Sequence, residues 1–424
     1  MLDINFIREN PKQVKDSIKK RHMLNVLPLV DELLKRDLEL KQLKQEADQL
    51  KHSRNQVSRE IAAAKKAGKD TSKLLKKAAN IPKEIATYDE KIKGLQKAIK
   101  ESLMQIPNVL HSSVPLGKTD ESNEIVSKSG KIKKSSWLKP NGEFAEALGC
   151  ADFKRSTRIS GAGFYFLKGD LALLNQALIR FAIDFLIKKG FTYVEPPLMM
   201  RREAYEGVVD LKDFESVMYK IEGEDTFLIA TSEHPLVGQF IGEVLLEKEL
   251  PIKMAGYSMC FRREIGSHGV DTRGFFRTHQ FNKVEQIILC KPSESWKYFE
   301  QIQKNSEEMF KALGIPFRVV NTASGELSIL ATKRYDIEAW MPRQNEYKEV
   351  TSCSNCLDYQ ARRLGIRYFN SKGERVFPHT LNNTAIATSR ALVAILENYQ
   401  NKDGSLTVPK VLQPYMGGKQ IIKK

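Results

Sequence analysis

Two runs of apolar residues at alternating three- and four-residue spacing dominate the first quarter of the chain. This spacing is typical of a coiled-coil seam. Arg54 interrupts the first run and residues 68–70 form a turn between the two, so we predict an antiparallel hairpin of two helices about 60 Å long over residues 27–106. Pro82 should kink the second helix or mark its restart. The seam residues are Leu40, Leu43, Ala47, Leu50, Val57, Ile61, Ala64, then Ile81, Ile85, Tyr88, Ile92, Leu95, Ile99 and Ile106.

The predicted hairpin carries a cluster of lysines near its turn. A solvated helix face explains any single lysine, but clustering on a projecting arm favours contact with a nucleic-acid backbone. The lysines assigned to this contact are Lys65, Lys66, Lys69 and Lys73. The whole chain of 424 residues has a net charge of +16, which fits a polyanionic partner, either nucleic acid or an anionic membrane surface.

The start of the chain has neither the composition of a signal peptide nor that of a transit peptide. No run approaches the ~20 apolar residues of a membrane span. We therefore expect a cytoplasmic protein without a membrane partner. Five cysteines at irregular spacing do not indicate a disulfide framework, and the lone Cys353-x-x-Cys356 pair offers two of the four ligands that structural zinc needs.

Residues 256–289 are predicted to form two strands joined by a polar, glycine-bearing loop. In the first strand, alternation puts Arg262 and Glu264 on the same side. In the second strand, alternation puts a second set of side chains on one face. That second set is Arg277, His279, Phe281, Lys283 and Glu285. One interpretation is a solvated surface with paired charges. The other is a nucleotide site, in which arginine holds phosphate, phenylalanine stacks on a base and a carboxylate accepts from an exocyclic amine.

The stretch FRREIGSHGVDTRGFFRTHQFNKVEQ within this region resembles motif 2 of class II aminoacyl-tRNA synthetases, and is most similar to that of the seryl-tRNA synthetases. The resemblance implies an α+β fold, with a mixed antiparallel sheet flanked by helices and an N-terminal helical arm that reaches tRNA. On this basis we expect an N-terminal domain over 1–106, a linker over 107–136, rich in Ser, Gly and Lys, and a catalytic domain over 137–424.

Two further stretches resemble the other class II motifs. A predicted helix over 170–189, a strand over 191–194 and two prolines are similar to motif 1, which implies a homodimer. Residues 379–400 are predicted to be a loop feeding a helix, similar to motif 3. Arg390 is the only charge between Thr384 and Glu397, so it needs a partner from elsewhere, either a carboxylate or, as motif 3 implies, a phosphate.

A Thr-x-Glu sequence at 231–233 precedes a predicted helix. Helix capping alone can explain it, whereas the family uses it on the amino acid. His234 stands where the family usually has valine, and we assign it no catalytic role. Glu349 and Ser352 resemble the family's magnesium ligands, but their three-residue offset puts them on opposite faces of a regular strand, so a bulge or strand end is needed.

The resemblance implies ATP-dependent attachment of L-serine to tRNA(Ser) through seryl-adenylate, with Mg²⁺, and leaves open whether tRNA(Sec) is also charged. It assigns catalysis to Arg262, Arg277 and Arg390. It assigns ATP binding to Arg262, Arg263, Glu264, Thr278, Phe281, Glu349, Val350, Thr351, Ser352 and Arg390, and serine binding to Thr231, Ser232, Glu233, Glu285, Asn382 and Thr384. The alternatives are a class II-like ligase that activates an amino acid for a non-tRNA carrier, and a non-enzymatic coiled-coil nucleic-acid-binding protein.

Overall fold

The computed structural model describes residues 1–210, 216–264 and 274–424, and the chain divides into two compact units. Unit 1 comprises Met1–Lys19 and Met23–Pro107, and unit 2 comprises Lys20–His22 and Asn108–Lys424. Part of the predicted loop between the two strands of 256–289, residues 265–273, lies outside the described residues.

Unit 1 is the predicted helical hairpin preceded by two short helices. Its helices are α1 (Ile4–Glu9), α2 (Pro11–Lys20), α3 (Leu27–Lys66) and α4 (Ser72–Gln105). Seam residues Val57, Ile81 and Ile85 are buried together between α3 and α4, as the spacing predicts. At the base, the Arg8 Nε and Nη2 atoms each lie 2.6 Å from an Asp37 carboxylate oxygen and tie α1 to α3.

The sequence allowed either a kink or a restart of the second helix at Pro82, and helix α4 does not restart there. The helix begins at Ser72 and continues through Pro82 to Gln105. Proline removes one backbone hydrogen bond, but Ile81 and Ile85 on either side of it are buried in the hairpin core, and this packing holds the helix together.

Unit 2 is built on one large mixed sheet with helices packed on it. Its helices are α5 (Asn141–Ala147), α6 (Phe153–Ser160), α7 (Gly169–Lys188), α8 (Arg202–Glu206), α9 (Glu233–Gly238), α10 (Ser295–Ala312), α11 (Tyr359–Leu364) and α12 (Thr388–Asn398). Its first nine strands are β1 (Glu124–Ser129), β2 (Ala151–Asp152), β3 (Phe166–Leu167), β4 (Thr192–Val194), β5 (Met199–Arg201), β6 (Thr226–Leu228), β7 (Val244–Leu246), β8 (Ile252–Phe261) and β9 (Gln280–Cys290). The others are β10 (Phe317–Asn321), β11 (Lys333–Met341), β12 (Glu346–Asn355), β13 (Arg367–Phe369), β14 (Arg375–Val376), β15 (His379–Ala387), β16 (Leu406–Thr407) and β17 (Ile421–Ile422).

Eight of these strands form the main sheet in the order β1-β10-β11-β12-β15-β9-β8-β4. All neighbours are antiparallel except β4 and β8. Helices α7, α10 and α12 supply much of the core beneath it, since most of their apolar residues are buried, although Leu173 and Ile187 of α7 are exposed. The predicted α+β class with a mixed antiparallel sheet is confirmed.

The stretch 379–387 was predicted to be a loop, and this prediction is wrong, because it forms the inner strand β15. Its polar residues suggested a turn, but several of them hydrogen-bond to helices that pack against β15. Asn383 is fully buried, and its Nδ2 donates to the Ile302 carbonyl over 2.7 Å and to Ser306 Oγ over 3.0 Å.

The stretch predicted to be a linker, 107–136, also differs in the structure, since it contains β1, the edge strand of the main sheet. The first five of its six residues are exposed, so Ser and Lys occur where a buried strand would show apolar alternation. Residues from Asn108 onward belong to unit 2.

Candidate active site

A cavity of about 400 Å³ opens on the main sheet of unit 2. Strands β9, β12 and β15, the start of α9 and the start of α12 contribute its walls. The predicted site residues that line it are Thr231, Glu233, Arg262, Glu264, Arg277, Thr278, Phe281, Glu285, Glu349, Val350, Thr351, Ser352, Asn382, Thr384 and Arg390. Two predicted residues are outside this lining: Arg263 is exposed, and Ser232 is fully buried behind Glu285.

One end of the cavity is organised around the carboxylate of Glu285 on β9. Its Oε1 lies 2.7 Å from Lys283 Nζ, and its Oε2 accepts from Thr231 Oγ1, from Ser232 Oγ at 3.0 Å and from the Glu233 backbone N–H at 2.9 Å. Burial alone raises the pKa of Glu285, but the Lys283 charge and these hydrogen bonds outweigh it and lower the pKa. Glu285 is therefore a fixed anion at neutral pH.

The second carboxylate at this end, Glu233, has the opposite character. Its Oε1 accepts from Gln360 Nε2 at 2.8 Å and from Asn382 Nδ2 at 3.0 Å. Burial and the neighbouring Glu285 charge raise its pKa well above that of an ordinary glutamate. Two acidic side chains with diverging pKa values thus lie side by side, with the hydroxyl-bearing Thr384 paired across the strands with Glu285.

The other end of the cavity is cationic and aromatic. Arg262 stacks over the ring of Phe281 at 5.4 Å, and its Nε atom is 3.4 Å from the Ala230 carbonyl. Arg390 lies over the Phe276 ring at 5.2 Å, and its Nη1 is 3.1 Å from Glu349 Oε1. Arg390 is a quarter exposed rather than embedded in an apolar helix, because it projects from the N-terminal turn of α12 into the cavity.

Strand β12 contains the bulge that the Glu349 and Ser352 pattern required. Ile337 pairs with Thr351 and Glu338 pairs with Glu349, so Val350 is the extra residue. This irregularity lets Glu349 and Ser352 both line the cavity. A carboxylate and a hydroxyl are hard oxygen donors, which fit magnesium shared with phosphates and water.

The cavity also contains side chains that the sequence did not assign. Lys283 has the same strand alternation as Phe281 and Glu285, so its position on the face was visible but its role was not. Arg334 reaches the lining while its Nη2 pairs with Asp336 Oδ2 at 2.9 Å, and no local motif signals it. His279, predicted on the same face, lies outside the lining, and its Nδ1 is 2.5 Å from Tyr219 Oη.

Cys353, Cys356 and His234 are all buried. Burial raises the pKa of the Cys353 and Cys356 thiols far above their ordinary value, so both stay protonated. Burial lowers the pKa of His234 to about 3, which keeps its ring neutral. Within residues 1–210, 216–264 and 274–424, no three His, Cys, Asp or Glu side chains group as a metal site. Over the same residues, every helix is too short or too polar to cross a membrane.

The comparison with protein families first defines a class. Residues 217–399 match the tRNA synthetase class II core domain (G, H, P, S and T), and residues 1–110 match the seryl-tRNA synthetase N-terminal domain. Together these two domains span most of the chain.

Individual relatives then define the family more narrowly. The serine–tRNA ligase of Methanocella arvoryzae is 52% identical over 421 residues, which is 99% of either chain. The crystal structure of seryl-tRNA synthetase from Pyrococcus horikoshii complexed with ATP has a TM-score of 0.96 at 45% identity, covering 100% of this chain and 99% of the other. The cytoplasmic serine–tRNA ligase from Naegleria fowleri in complex with AMP has a TM-score of 0.88 at 38% identity, covering 100% and 99%. The chain belongs to the seryl-tRNA synthetase family.

Proposed function

We propose that this cavity converts serine and ATP to seryl-adenylate and pyrophosphate, and then passes the seryl group to the 3′ end of tRNA(Ser). The overall reaction, ATP-dependent attachment of serine to tRNA, is that of the family to which the chain belongs. The observation that carries the proposal is the polarity of the cavity. An acidic, hydroxyl-bearing end at Glu233, Glu285 and Thr384 is continuous with a cationic end at Arg262 and Arg390.

At the acidic end, the ammonium and hydroxyl groups of serine each have a counterpart. The ammonium group suits Glu233, and the serine hydroxyl suits Glu285 and Thr384. Thr231 and Asn382 hold the two carboxylates in place. Lys283 lies 2.7 Å from Glu285 and is 6% exposed, so it offsets the buried negative charge and leaves the pocket able to accept a neutral hydroxyl.

At the cationic end, the side chains suit a nucleoside triphosphate. Arg262 is assigned to the α-phosphate, where charge develops as a serine carboxylate oxygen attacks phosphorus and pyrophosphate departs. Phe281 and Glu264 are assigned to the adenine, and Arg390 to the far phosphates. Thr278 and the backbone of 349–352 complete the nucleotide wall. When bound, Mg²⁺ held by Glu349 and Ser352 would neutralise phosphate charge.

The remaining partners are assigned from surfaces. Lys65, Lys66, Lys69 and Lys73 are all exposed near the hairpin turn, as contact with the tRNA backbone requires. A homodimer is supported by large apolar side chains that remain exposed within residues 159–199, a range that includes the helix and strand that resemble motif 1. These are Ile159, Phe166, Leu173, Ile187, Leu198 and Met199. We place the reaction in the cytoplasm, where the five unpaired cysteines stay reduced.

Amino-acid-dependent ATP–pyrophosphate exchange tests the proposal. Serine alone among the amino acids should support rapid exchange without tRNA, and radiolabelled serine should then appear on tRNA(Ser). Exchange without transfer to tRNA would favour the ligase that uses a non-tRNA carrier. Absence of exchange with every amino acid would favour a binding protein. The same transfer assay with tRNA(Sec) decides whether it is a second substrate.

A further inference from the structure

Gln360 on α11 lies directly behind Glu233 and is 1% exposed. Its Nε2 donates to Glu233 Oε1 over 2.8 Å, and its Oε1 accepts from Thr380 Oγ1 over 2.6 Å. A carboxylate can only accept, so the NH₂ group must face Glu233. The carbonyl of the amide must then face Thr380, whose hydroxyl donates. The orientation of the amide is thereby fixed from both ends.

The same oxygen of Glu233 receives a second amide. Asn382 Nδ2 donates to Oε1 over 3.0 Å, and Asn382 lies two residues from Thr380 on one face of β15. With Oε1 held by two donors, Oε2 is the atom left for a ligand. None of the described residues donates a hydrogen bond to it, and Glu233 itself lines the cavity.

The charge of Glu233 is finely balanced by the groups around it. Burial and Glu285 favour the protonated acid, whereas the Gln360 hydrogen bond, Lys283 and Arg262 favour the carboxylate and so lower the pKa. Cys356, His234 and Tyr205, which also lie near it, are neutral, because burial lowers the pKa of the His234 ring and raises the pKa of the Cys356 thiol and of the Tyr205 hydroxyl. A single charge-assisted hydrogen bond is therefore enough to change the protonation of Glu233.

We propose that Gln360 is a positioning residue for serine activation, which acts through Glu233 by keeping its carboxylate ionised and turned so that Oε2 receives the serine ammonium. Thr380 fixes the amide of Gln360 in turn. This inference rests on the serine pocket proposed above. It adds Gln360 and Thr380 as residues that position the pocket without touching the substrate.

The test replaces Gln360 with methionine, which has a similar length but no amide. Losing a donor to the carboxylate raises the pKa of Glu233 further, and ammonium binding is lost as the pH falls through that pKa. The acid limb of kcat/KM for serine in ATP–pyrophosphate exchange should therefore move to higher pH in Gln360→Met. At a pH slightly below neutral, the KM for serine should rise about tenfold or more, with the KM for ATP unchanged.

A second variant, Thr380→Val, removes the hydroxyl that fixes the amide and should shift the same limb in the same direction by a smaller amount. Gln303→Met is the matched control. Gln303 is also buried and donates to a carboxylate, Glu307 Oε1 at 3.4 Å, but it lies on α10 outside the cavity. Its acid limb should stay where it is in the wild type, even if its melting temperature falls.

An acid limb that is absent in the wild type, or that stays unmoved in folded Gln360→Met and Thr380→Val proteins, would overturn the inference. Glu233→Gln, measured in parallel, separates this failure from a failure of the pocket itself. If Glu233→Gln raises the KM for serine and abolishes the acid limb while the Gln360 variants do neither, only the role of Gln360 is wrong. If Glu233→Gln leaves serine activation intact, the serine pocket is misplaced.

Discussion

Glu285 has little hydrogen-bonding capacity left for a substrate. Its Oε2 already accepts from three donors, and among the described residues only Lys283 is bound to Oε1. One acceptor position on Oε1 therefore remains for a serine hydroxyl. Thr384 stands opposite on β15, as the cross-strand partner of Glu285. A hydroxyl placed between the two would be bonded from both sides.

This geometry predicts unequal discrimination against the two nearest competitors of serine. Alanine lacks the hydroxyl and leaves buried polar groups unpaired, so its activation should be about 10⁴-fold less efficient than that of serine. Threonine keeps the hydroxyl and adds one methyl group, whose exclusion is worth only about 1–3 kcal/mol. Pyrophosphate exchange with purified alanine and threonine gives both ratios. Alanine activated as well as threonine would contradict this account of the pocket.

At the residue scale, strand alternation made part of this site predictable. Phe281 and Glu285 could be placed on one face because they lie in a regular strand, and both line the cavity. The resemblance to motif 2 then supplied roles that alternation cannot. Gln360 could not be found in this way, because its contact with Glu233 joins segments that lie far apart in the sequence. Arg334 could not be found either, because no local motif signals it.

Elements were predictable where local spacing determines them. The hairpin helices follow from apolar spacing, and the strand pair β8 and β9 follows from strand alternation on either side of a polar loop, whereas β1 and β15 follow from neither. Strand β15 is flanked by β12 and β9, and several of its polar side chains find their partners on helices that pack against it only in the folded protein. The bulge at Val350 was inferable only by requiring that Glu349 and Ser352 share a site.

An irregular segment of unit 2, residues 327–331, is held by donors from two distant residues. Arg21 donates to the carbonyls of Leu327, Ser328 and Ala331, at 2.5 to 3.2 Å. The backbone N–H and side-chain amide of Asn108 donate to the carbonyls of Ile329 and Leu330. All five successive carbonyls are thus satisfied. Ser328, Leu330 and Ala331 line the cavity, so the segment is part of the site wall.

Replacing Arg21 with methionine should destabilise unit 2, because the carbonyls of Leu327, Ser328 and Ala331 lose their donor in a buried position. We expect a loss of about 2–4 kcal/mol in the free energy of unfolding, measured by urea denaturation, together with weaker serine activation. Lys20→Met is the matched control, since Lys20 is the exposed neighbour of Arg21. Equal stability of the two variants would show that water replaces the guanidinium without cost.

At the scale of the whole molecule, the chemistry and the hairpin belong to different compact units. Every residue assigned to serine or ATP lies in unit 2, and the four lysines assigned to tRNA lie in unit 1. This division was predictable because a long hairpin cannot bury its outer faces. The boundary between the two units was harder to predict, since the exposed strand β1 resembles a linker in composition.

The division allows the hairpin to be shortened without disturbing its base. Lys51 on α3 and Asp89 on α4 face each other at 3.7 Å between Nζ and Oδ1, so a short glycine-rich turn can replace residues 52–88. The Arg8 and Asp37 pair at the base is retained, while the buried cluster of Val57, Ile81 and Ile85 leaves as a whole. Serine-dependent pyrophosphate exchange should be nearly unchanged, and aminoacylation of tRNA(Ser) should fall steeply.

Charge reversal in the intact hairpin tests the same division more gently. Reversing Lys65, Lys66, Lys69 and Lys73 to glutamate should raise the KM for tRNA and flatten its salt dependence, by roughly 0.7–0.9 slope units for each phosphate that the hairpin no longer neutralises. The control reverses four exposed lysines near the other end of α4, Lys91, Lys93, Lys97 and Lys100, and changes the net charge equally. If the control weakens tRNA charging as much as the tip variant, the attraction is a property of net charge rather than of the tip.

If shortening the hairpin abolishes serine activation in a folded protein, the hairpin is part of the catalytic machinery and its assignment to tRNA alone is wrong.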